Sequence, residues 1–179
     1  MMKDVSQKLK TAIRNVPDYP KKGIVFRDLT TLWKDAKLLK LSTDSLSGHY
    51  KGRRIDKVVG IEARGFIVGA PLAEKLGVGF VLARKTGKLP SKKLTLNYEL
   101  EYGKQGLEIH QDGIGKGERV LIVDDLLATG GTSLAARTLV EKLGGVVVGF
   151  AYIVELAFLD ARSRLSGYEV YSLVKYDSE

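Results

Sequence analysis

Residues 119–133 of the chain read RVLIVDDLLATGGTS, and this stretch decides the fold class. The apolar run Arg119–Val123 predicts a buried strand, and a helical pattern begins at Thr132. Strand-like and helical patterns alternate in the same way at Ile55–Ile61, Phe66–Leu76, Val78–Ala83, Val146–Val154, Phe158–Leu165 and Glu169–Val174. This alternation favours right-handed crossovers and a mostly parallel sheet covered on both faces. We therefore expect an open, doubly wound α/β fold.

Two further segments add to this sheet. Apolar residues recur at helical spacing over residues 3–15, and a link rich in proline and glycine follows at residues 17–23. A length of 179 residues fits one domain. We expect a single domain in which residues 1–35 and residues 86–110 are additions to the central sheet.

Composition excludes several classes of protein. The chain has no cysteine, which rules out a disulfide-built scaffold, thiolate zinc sites and thiol nucleophiles. No apolar run approaches the roughly 20 residues of a membrane-spanning helix. The first residues are polar, where a signal peptide needs an apolar core. We expect a cytoplasmic protein with no membrane partner.

The chain carries 29 Lys and Arg against 21 Asp and Glu, a formal net charge of +8. A basic excess is one mark of nucleic-acid binding, so its position matters. Residues 1–55 hold 13 of the basic and 5 of the acidic residues, whereas residues 56–179 hold 16 of each. The excess coincides with the amphipathic N-terminal region and is typical of a solvated helical surface. We expect no nucleic-acid partner.

The residues that follow the strand at 119–123 carry the chemistry. Asp124 and Asp125 place two carboxylates side by side, which is costly unless they meet hydroxyl groups, a cation or water. The next residues, 129–132, are Thr-Gly-Gly-Thr, a loop that can point several backbone N–H groups at one spot. That spot lies at the positive end of the following helix and suits a phosphate. Together the two features describe a pocket for a ribose 5-phosphate.

Three other interpretations fit parts of this stretch. A sharp strand-to-helix turn explains Gly130 and Gly131 alone, but not the whole of residues 120–132. A P-loop needs a lysine directly after its second glycine, and none stands there. A phosphoacceptor of the receiver-domain kind shares the acidic pair but has no use for a phosphate-binding loop directly after it.

Residues 120–132 resemble the phosphoribosyl-pyrophosphate (PRPP) signature of type I phosphoribosyltransferases. From about residue 10 to residue 176 the chain resembles the adenine-using members of that family. The resemblance implies that Asp124 and Asp125 contact the ribose hydroxyls, with Asp125 taking part in catalysis. It also implies that the 5-phosphate is held by Ala128, Thr129, Gly130, Gly131 and Thr132.

A second loop, Glu62-Ala63-Arg64-Gly65, follows the strand at Ile55–Ile61. Arg64 offers a planar fork of donors that suits phosphate oxygens, and Gly65 permits close backbone approach. Taken alone, the pattern also fits an arginine in a surface ion pair. In the family, this loop binds pyrophosphate and typically contains a non-proline cis peptide bond. The resemblance therefore implies that Arg64 binds PRPP.

Residues 84–93, RKTGKLPSKK, hold five cations and no acid. A nucleic-acid patch has a similar composition, but the glycine and the proline mark this run as a short loop between strands. The resemblance implies that Arg84, Lys85 and Lys88 reach the pyrophosphate region of PRPP, partly across a dimer interface. We therefore expect a homodimer.

Leu94–Leu100 and Leu107–His110 predict two antiparallel strands. The Leu-Glu-Tyr-Gly string between them, residues 100–103, is similar to the flexible catalytic loop of the family. The resemblance implies that Glu101 acts in catalysis near the base and that Tyr102 lies near the phosphates. A closing loop suits a reaction that passes through a charged sugar, because water would intercept that species. The residues alone leave Glu99 and Glu108 as alternatives to Glu101.

Residues 25–28, Val-Phe-Arg-Asp, resemble the base-binding stretch of the family's N-terminal hood, which here would span residues 1–35. The resemblance implies that Phe26 stacks on a purine while backbone groups of Val25 and Arg27 bind the edge of the base. A lone phenylalanine also fits a core position.

As a whole, the resemblance implies a purine-salvage enzyme that transfers phosphoribosyl from PRPP to adenine, forming AMP and pyrophosphate. It implies Mg²⁺ as cofactor, carried by PRPP and water without direct side-chain ligands. A related transferase acting on a 6-oxopurine (xanthine, hypoxanthine or guanine) is one alternative. A PRPP-sensing regulator without catalysis is the other.

Overall fold

The computed structural model describes residues 2–100 and 103–179, with side chains described over 4–98 and 105–179. The helices are α1 (Met2–Ala12), α2 (Thr30–Trp33), α3 (Ala36–Tyr50), α4 (Arg64–Leu76), α5 (Gly131–Lys142) and α6 (Ala161–Arg164). The strands are β1 (Arg14–Pro17), β2 (Val25–Asp28), β3 (Lys57–Ile61), β4 (Gly79–Lys85), β5 (Lys93–Leu100), β6 (Gly103–His110), β7 (Arg119–Leu127), β8 (Val146–Leu156) and β9 (Val170–Tyr176). Among the helices within these ranges, none combines the length and apolar character needed to cross a membrane.

Seven strands form one sheet in the order β5-β6-β4-β3-β7-β8-β9. The five strands from β4 to β9 in this order are parallel, and β6 runs antiparallel to both β4 and β5. The predicted mostly parallel sheet with an antiparallel excursion is confirmed. From the central pair β3 and β7, the chain crosses to β4 on one side and to β8 on the other. The loops that follow β3 and β7 therefore meet at a topological switch point, where ligands bind in such sheets.

Alternate side chains of β7 enter two separate cores. Leu121 and Val123 pack in the core that α3 and α4 complete, whereas Val120 and Ile122 pack in the core that α5 completes. All four side chains are fully buried. This two-residue alternation places helices on both faces, so the sheet is doubly wound.

The strand that carries the acidic pair is longer than its apolar pattern predicts. The pattern ends the strand at Val123, but β7 continues to Leu127 because Asp124 and Leu126 pair with Tyr152 and Val154 of β8. Asp124 and Asp125 therefore lie within β7, near its end, and not in the loop that follows it.

The N-terminal region also contains more regular structure than the sequence indicates. β1 begins where the end of the first helix is predicted, and it pairs antiparallel with β2. Neither strand belongs to the large sheet. The four-residue strands have little local signal of their own, so their pairing is decided by tertiary contacts.

Candidate active site

The two loops at the switch point are joined by an ion pair. Arg64, the first residue of α4, places its Nε 2.9 Å from Oδ2 of Asp125. The Asp125 side chain is 3% exposed, whereas that of Arg64 is 47% exposed. The guanidinium thus offsets one of two adjacent carboxylates and still presents a face to solvent. The geometry agrees with the interpretation of Arg64 as an ion-pair partner, and the exposed part of its guanidinium leaves room for an anion.

The acidic pair does not titrate like ordinary carboxyl groups. Burial, and then the charge of Asp125, raise the pKa of Asp124 well above its ordinary value. Burial also raises the pKa of Asp125, with Arg64 acting in the opposite direction. The Asp125 backbone N–H donates to Oδ1 of Asp124 at 2.8 Å. The pair is a compact set of oxygen acceptors, which suits hydroxyl groups or a developing positive charge.

Gly65 lets the two loops approach this closely. A Cβ at this position would stand 2.8 Å from the Val123 carbonyl oxygen and 3.0 Å from Oδ1 of Asp124. Any side chain would therefore push α4 away from the end of β7. In the same loop, the peptide bond between Glu62 and Ala63 is cis, as the family resemblance implies.

Residues 128–132 lead from β7 into α5 and form the predicted phosphate-binding loop. Gly130, with φ 80° and ψ 0°, adopts the left-handed conformation at the N-cap of α5. The first helical hydrogen bond runs from the Leu134 N–H to the Gly130 carbonyl, so the N–H groups that precede Leu134 in α5 have no partner within the helix. On its outer side the loop is held by Arg164 of α6, whose Nη1 donates to the Thr129 carbonyl at 3.1 Å. The arrangement can accept an anion at the helix N-terminus.

The cationic loop is anchored by an acid that the sequence analysis did not single out. Glu62 accepts hydrogen bonds from Arg84 at 2.9 and 3.3 Å and from the Lys85 backbone N–H at 2.8 Å. The Arg84 hydrogen bond is the main reason that the pKa of Glu62 is lowered. The side chains of Lys85 and Lys88 are exposed. The side chains of Lys85 and Lys88 are therefore accessible to an anion from solvent, while Arg84 fixes the loop.

Glu108 also contacts and stabilises this loop. It is 2% exposed and accepts from the Gly87 backbone N–H at 3.1 Å, with Lys93 Nζ 3.4 Å away. The Glu108 carboxylate is therefore occupied by contacts with residues of this loop.

Phe26 lines a cavity of about 330 Å³ together with Val16, Tyr19, Asp28, Leu29, Thr30, Trp33 and Arg64. The Tyr19 ring packs edge-on against the Phe26 ring at 5.3 Å, and the Arg64 guanidinium carbon lies 5.8 Å from the Phe26 centroid. Phe26 is half-buried, so it is a wall of this cavity and not a core aromatic. Arg64 therefore contacts the cavity and the acidic pair at once.

Asp28 adds a fixed negative charge to this cavity. Hydrogen bonds from the Thr30 hydroxyl, and then from Arg14, lower the pKa of Asp28 to about 2. The Arg27 side chain is buried and donates to Oδ1 of Asn15 at 2.7 Å. The side chain of Arg27 therefore has a structural role, and its main-chain groups are the ones that remain to bind a base.

Glu101 and Tyr102 lie outside the residues that the structure describes. The strands leading to and from them, β5 and β6, pair in register from Lys93 and His110 to Leu100 and Gly103. Near the end of β5, the Tyr98 hydroxyl donates to Oγ1 of Thr132 at 3.3 Å. The end of β5 therefore lies beside the loop that leads into α5.

An acidic pair beside a helix N-terminus, at the switch point of a parallel sheet, is the arrangement expected of an enzyme that acts on phosphorylated ribose. The sequence model of the family described as "Phosphoribosyl transferase domain" matches residues 35–171, and the chain belongs to this phosphoribosyltransferase family. The names of its relatives are more specific than the name of the family. The adenine phosphoribosyltransferase of Caldanaerobacter subterraneus subsp. tengcongensis is 55% identical over 168 residues, which cover 94% of this chain and 97% of the relative.

Solved structures that are similar to this one come from the same family. A crystal structure of adenine phosphoribosyltransferase from Thermoanaerobacter pseudethanolicus superposes with a TM-score of 0.92 at 53% identity, covering 95% of this chain and 99% of that chain. The enzyme from Saccharomyces cerevisiae, complexed with an imino-altritol bisphosphate and adenine, gives a TM-score of 0.91 at 39% identity. That match covers 96% of this chain and 99% of the yeast chain. The expected fold and family are confirmed.

Proposed function

We propose that this protein transfers the phosphoribosyl group of PRPP to N9 of adenine, forming AMP and pyrophosphate in purine salvage. The position of Arg64 carries the proposal, since one guanidinium lies 2.9 Å from Asp125 and 5.8 Å from the Phe26 ring centre. It joins the cavity for a base to the acidic pair for a ribose. The names of the relatives support adenine over a 6-oxopurine.

Ribose 5-phosphate is held at two points. Asp124 and Asp125 accept hydrogen bonds from the ribose hydroxyls, and the N-terminus of α5 receives the 5-phosphate at residues 128–132. The anchored strand end of β7 fixes the sugar relative to the base cavity. Phe26 stacks on the purine, and the main chain of Val25 and Arg27 binds its edge.

The leaving pyrophosphate is surrounded by cationic side chains. Arg64, Lys85 and Lys88 face it, and Arg84 holds their loop and adds its own charge. Mg²⁺ keeps several waters when it binds substrate phosphates, so the carboxylate oxygens of Asp124 and Asp125 suit the water shell of an ion that PRPP carries, without ligating it directly. When bound, the ion supplies further charge neutralisation for the leaving group.

The reaction forms the bond between N9 of adenine and C1′ of the ribose and breaks the bond between C1′ and a pyrophosphate oxygen. The electron pair of the broken bond leaves on pyrophosphate, and the base loses the N9 proton. Positive charge on the sugar is balanced by the carboxylates of Asp124 and Asp125. Glu101 is the carboxylate that we assign to proton transfer with the base, with Tyr102 beside the phosphates.

The expected setting is a homodimer in the cytoplasm. The family resemblance supports the dimer, because cations of the 84–88 loop reach the partner's site in that family. PRPP and AMP are multiply charged and do not cross a hydrocarbon layer unaided, which supports an enzyme in the compartment that makes them.

One assay tests the proposal. The protein is mixed with PRPP, Mg²⁺ and adenine, with hypoxanthine, guanine and xanthine as competing bases. AMP and pyrophosphate in equal amounts are the expected products. Absence of AMP would overturn the proposal, and preferential use of a 6-oxopurine would move the protein to the sister activity. Salt-dependent binding of nucleic acid without turnover would support the PRPP-sensing regulator instead.

A further inference from the structure

The last residues of the described chain lie against the strand that the proposed function assigns to base recognition. Oε2 of Glu179 accepts a hydrogen bond from the Val25 backbone N–H at 2.8 Å, across 154 positions of sequence. The Arg27 guanidinium stands 4.0 Å from the centroid of the Tyr176 ring, and its Nη2 approaches the Ser178 carbonyl at 3.5 Å. Residues 176–179, here termed the tail, thus contact both Val25 and Arg27.

β2 needs an anchor of this kind. It has four residues and pairs only with β1 among the described strands, and an isolated two-stranded ribbon is marginally stable. β9, from which the tail emerges, is by contrast part of the seven-stranded sheet. Lys10 of α1 also donates to the Lys175 carbonyl at 3.1 Å. The tail therefore connects β2, a short strand, to the seven-stranded sheet, and so restricts where β2 can lie.

We propose that Glu179 is a positioning residue for the base, which acts by fixing the main chain of Val25 beside the Phe26 cavity. This inference rests on the proposed function, in which backbone groups of Val25 and Arg27 bind the edge of adenine. Recognition by main-chain groups depends on where the strand lies, because a backbone N–H or carbonyl cannot change its direction without moving the strand, as a flexible side chain can. Losing the Glu179 contact should therefore weaken use of the base and leave use of PRPP unchanged.

Three variants separate positioning from general stability. Glu179→Ala removes the acceptor, and Glu179→Gln keeps an amide oxygen that can accept the same N–H. Asp177→Ala removes an exposed carboxylate from the same tail, one for which the described residues show no partner. KM for adenine, KM for PRPP, kcat and Tm are measured for each variant and for the unmodified protein.

We expect Glu179→Ala to raise KM for adenine about three- to tenfold, the range for one ordinary hydrogen bond at an exposed position. KM for PRPP should stay within about twofold, and Glu179→Gln and Asp177→Ala should resemble the unmodified protein. An unchanged KM for adenine in Glu179→Ala would overturn the proposal. So would a parallel rise of both KM values together with a lower Tm, because that pattern marks a purely structural contact.

Amide hydrogen exchange of the substrate-free protein gives a second readout that needs no turnover. The Val25 amide should exchange faster in Glu179→Ala than in Glu179→Gln, while amides of β7 remain unchanged. Equal exchange of Val25 in the two variants would overturn the positioning contact. Failure of the unmodified protein to form AMP would instead overturn the proposed function, and the exchange result would still stand on its own.

Discussion

Arg64 at the start of α4 reaches Asp125 on β7, with Nε of the arginine 2.9 Å from Oδ2 of the aspartate. The same guanidinium stands 5.8 Å from the Phe26 centroid. One side chain therefore connects three parts of the site that are distant in sequence. A change at Asp125 should release Arg64 as well as remove an acceptor for ribose.

Asp125→Asn should lower kcat/KM for PRPP about 10- to 100-fold, the loss expected for one charge-assisted hydrogen bond. Steady-state kinetics with PRPP as the varied substrate measures this loss. Asp112→Asn, at an exposed position, serves as the control. Equal kinetics in the two variants would show that Asp125 does not bind the ribose.

Asp124→Asn should stabilise the fold while it weakens PRPP use. The pKa of Asp124 is raised well above its ordinary value of 3.8, chiefly by burial, so ionising this group above pH 3.8 costs folding free energy. The amide removes that cost and can still accept the Asp125 N–H. Tm at pH 7 should rise by about 2–4 °C per kcal/mol gained, and the difference should vanish as the pH falls toward 3.8. A lower Tm at pH 7 would contradict the electrostatic explanation.

Glu62→Ala should weaken pyrophosphate binding although Glu62 is itself an anion. It removes the acceptor that fixes Arg84 and the Lys85 N–H, so the cationic loop loses its position. In the reverse reaction, KM for pyrophosphate should rise about five- to tenfold, since the Arg84 side chain is partly exposed and the pair is partly screened. Glu74→Ala, at an exposed site on α4, is the control. A lower KM for pyrophosphate would mean that the charge of Glu62 matters more than its anchoring.

Gly65→Ala should destabilise the protein by about 1–3 kcal/mol, because its methyl group would overlap the Val123 carbonyl oxygen. Gly48→Ala on α3 is the matched control, since none of the described atoms lies within 4 Å of a Cβ there. That exposed helical position should gain up to about 1 kcal/mol. Thermal unfolding of both variants tests the pair. Equal Tm values would show that the two loops can separate without cost.

Glu101→Gln should lower kcat more than it raises KM for PRPP, because the amide keeps the size of the side chain but cannot take up a proton. Single-turnover measurement of AMP formation separates this step from product release. Full activity of the variant would remove Glu101 from the mechanism.

Several parts of the site follow from local sequence. The run of residues 119–133 contains a strand, an acidic pair, a glycine turn and a helix start, and each depends on residues within a few positions of one another. Side-chain alternation and the left-handed preference of Gly130 are properties of the backbone. The alternation of strands and helices, and the glycine turn between β7 and α5, could be predicted for that reason.

Other parts could not be predicted. Glu62 gave no signal of its own, since a glutamate after a strand is common and its partner Arg84 lies 22 positions later. Arg164 and Glu179 were also missed, because their contacts with Thr129 and Val25 join positions 35 and 154 residues apart. The length of β7 beyond Val123 depends on its pairing with β8.

The sequence by itself determined the order of strands and helices, the placement of the acidic pair at a strand end and the chemistry of the loop that follows it. Periodicity and backbone preference are local, so one chain is enough to show them. Only the tertiary structure decided that Arg64 faces both Asp125 and Phe26. It also decided that Glu62 anchors the cationic loop and that the tail contacts β2. Those contacts depend on which strands become neighbours, and burial of the whole core sets that arrangement.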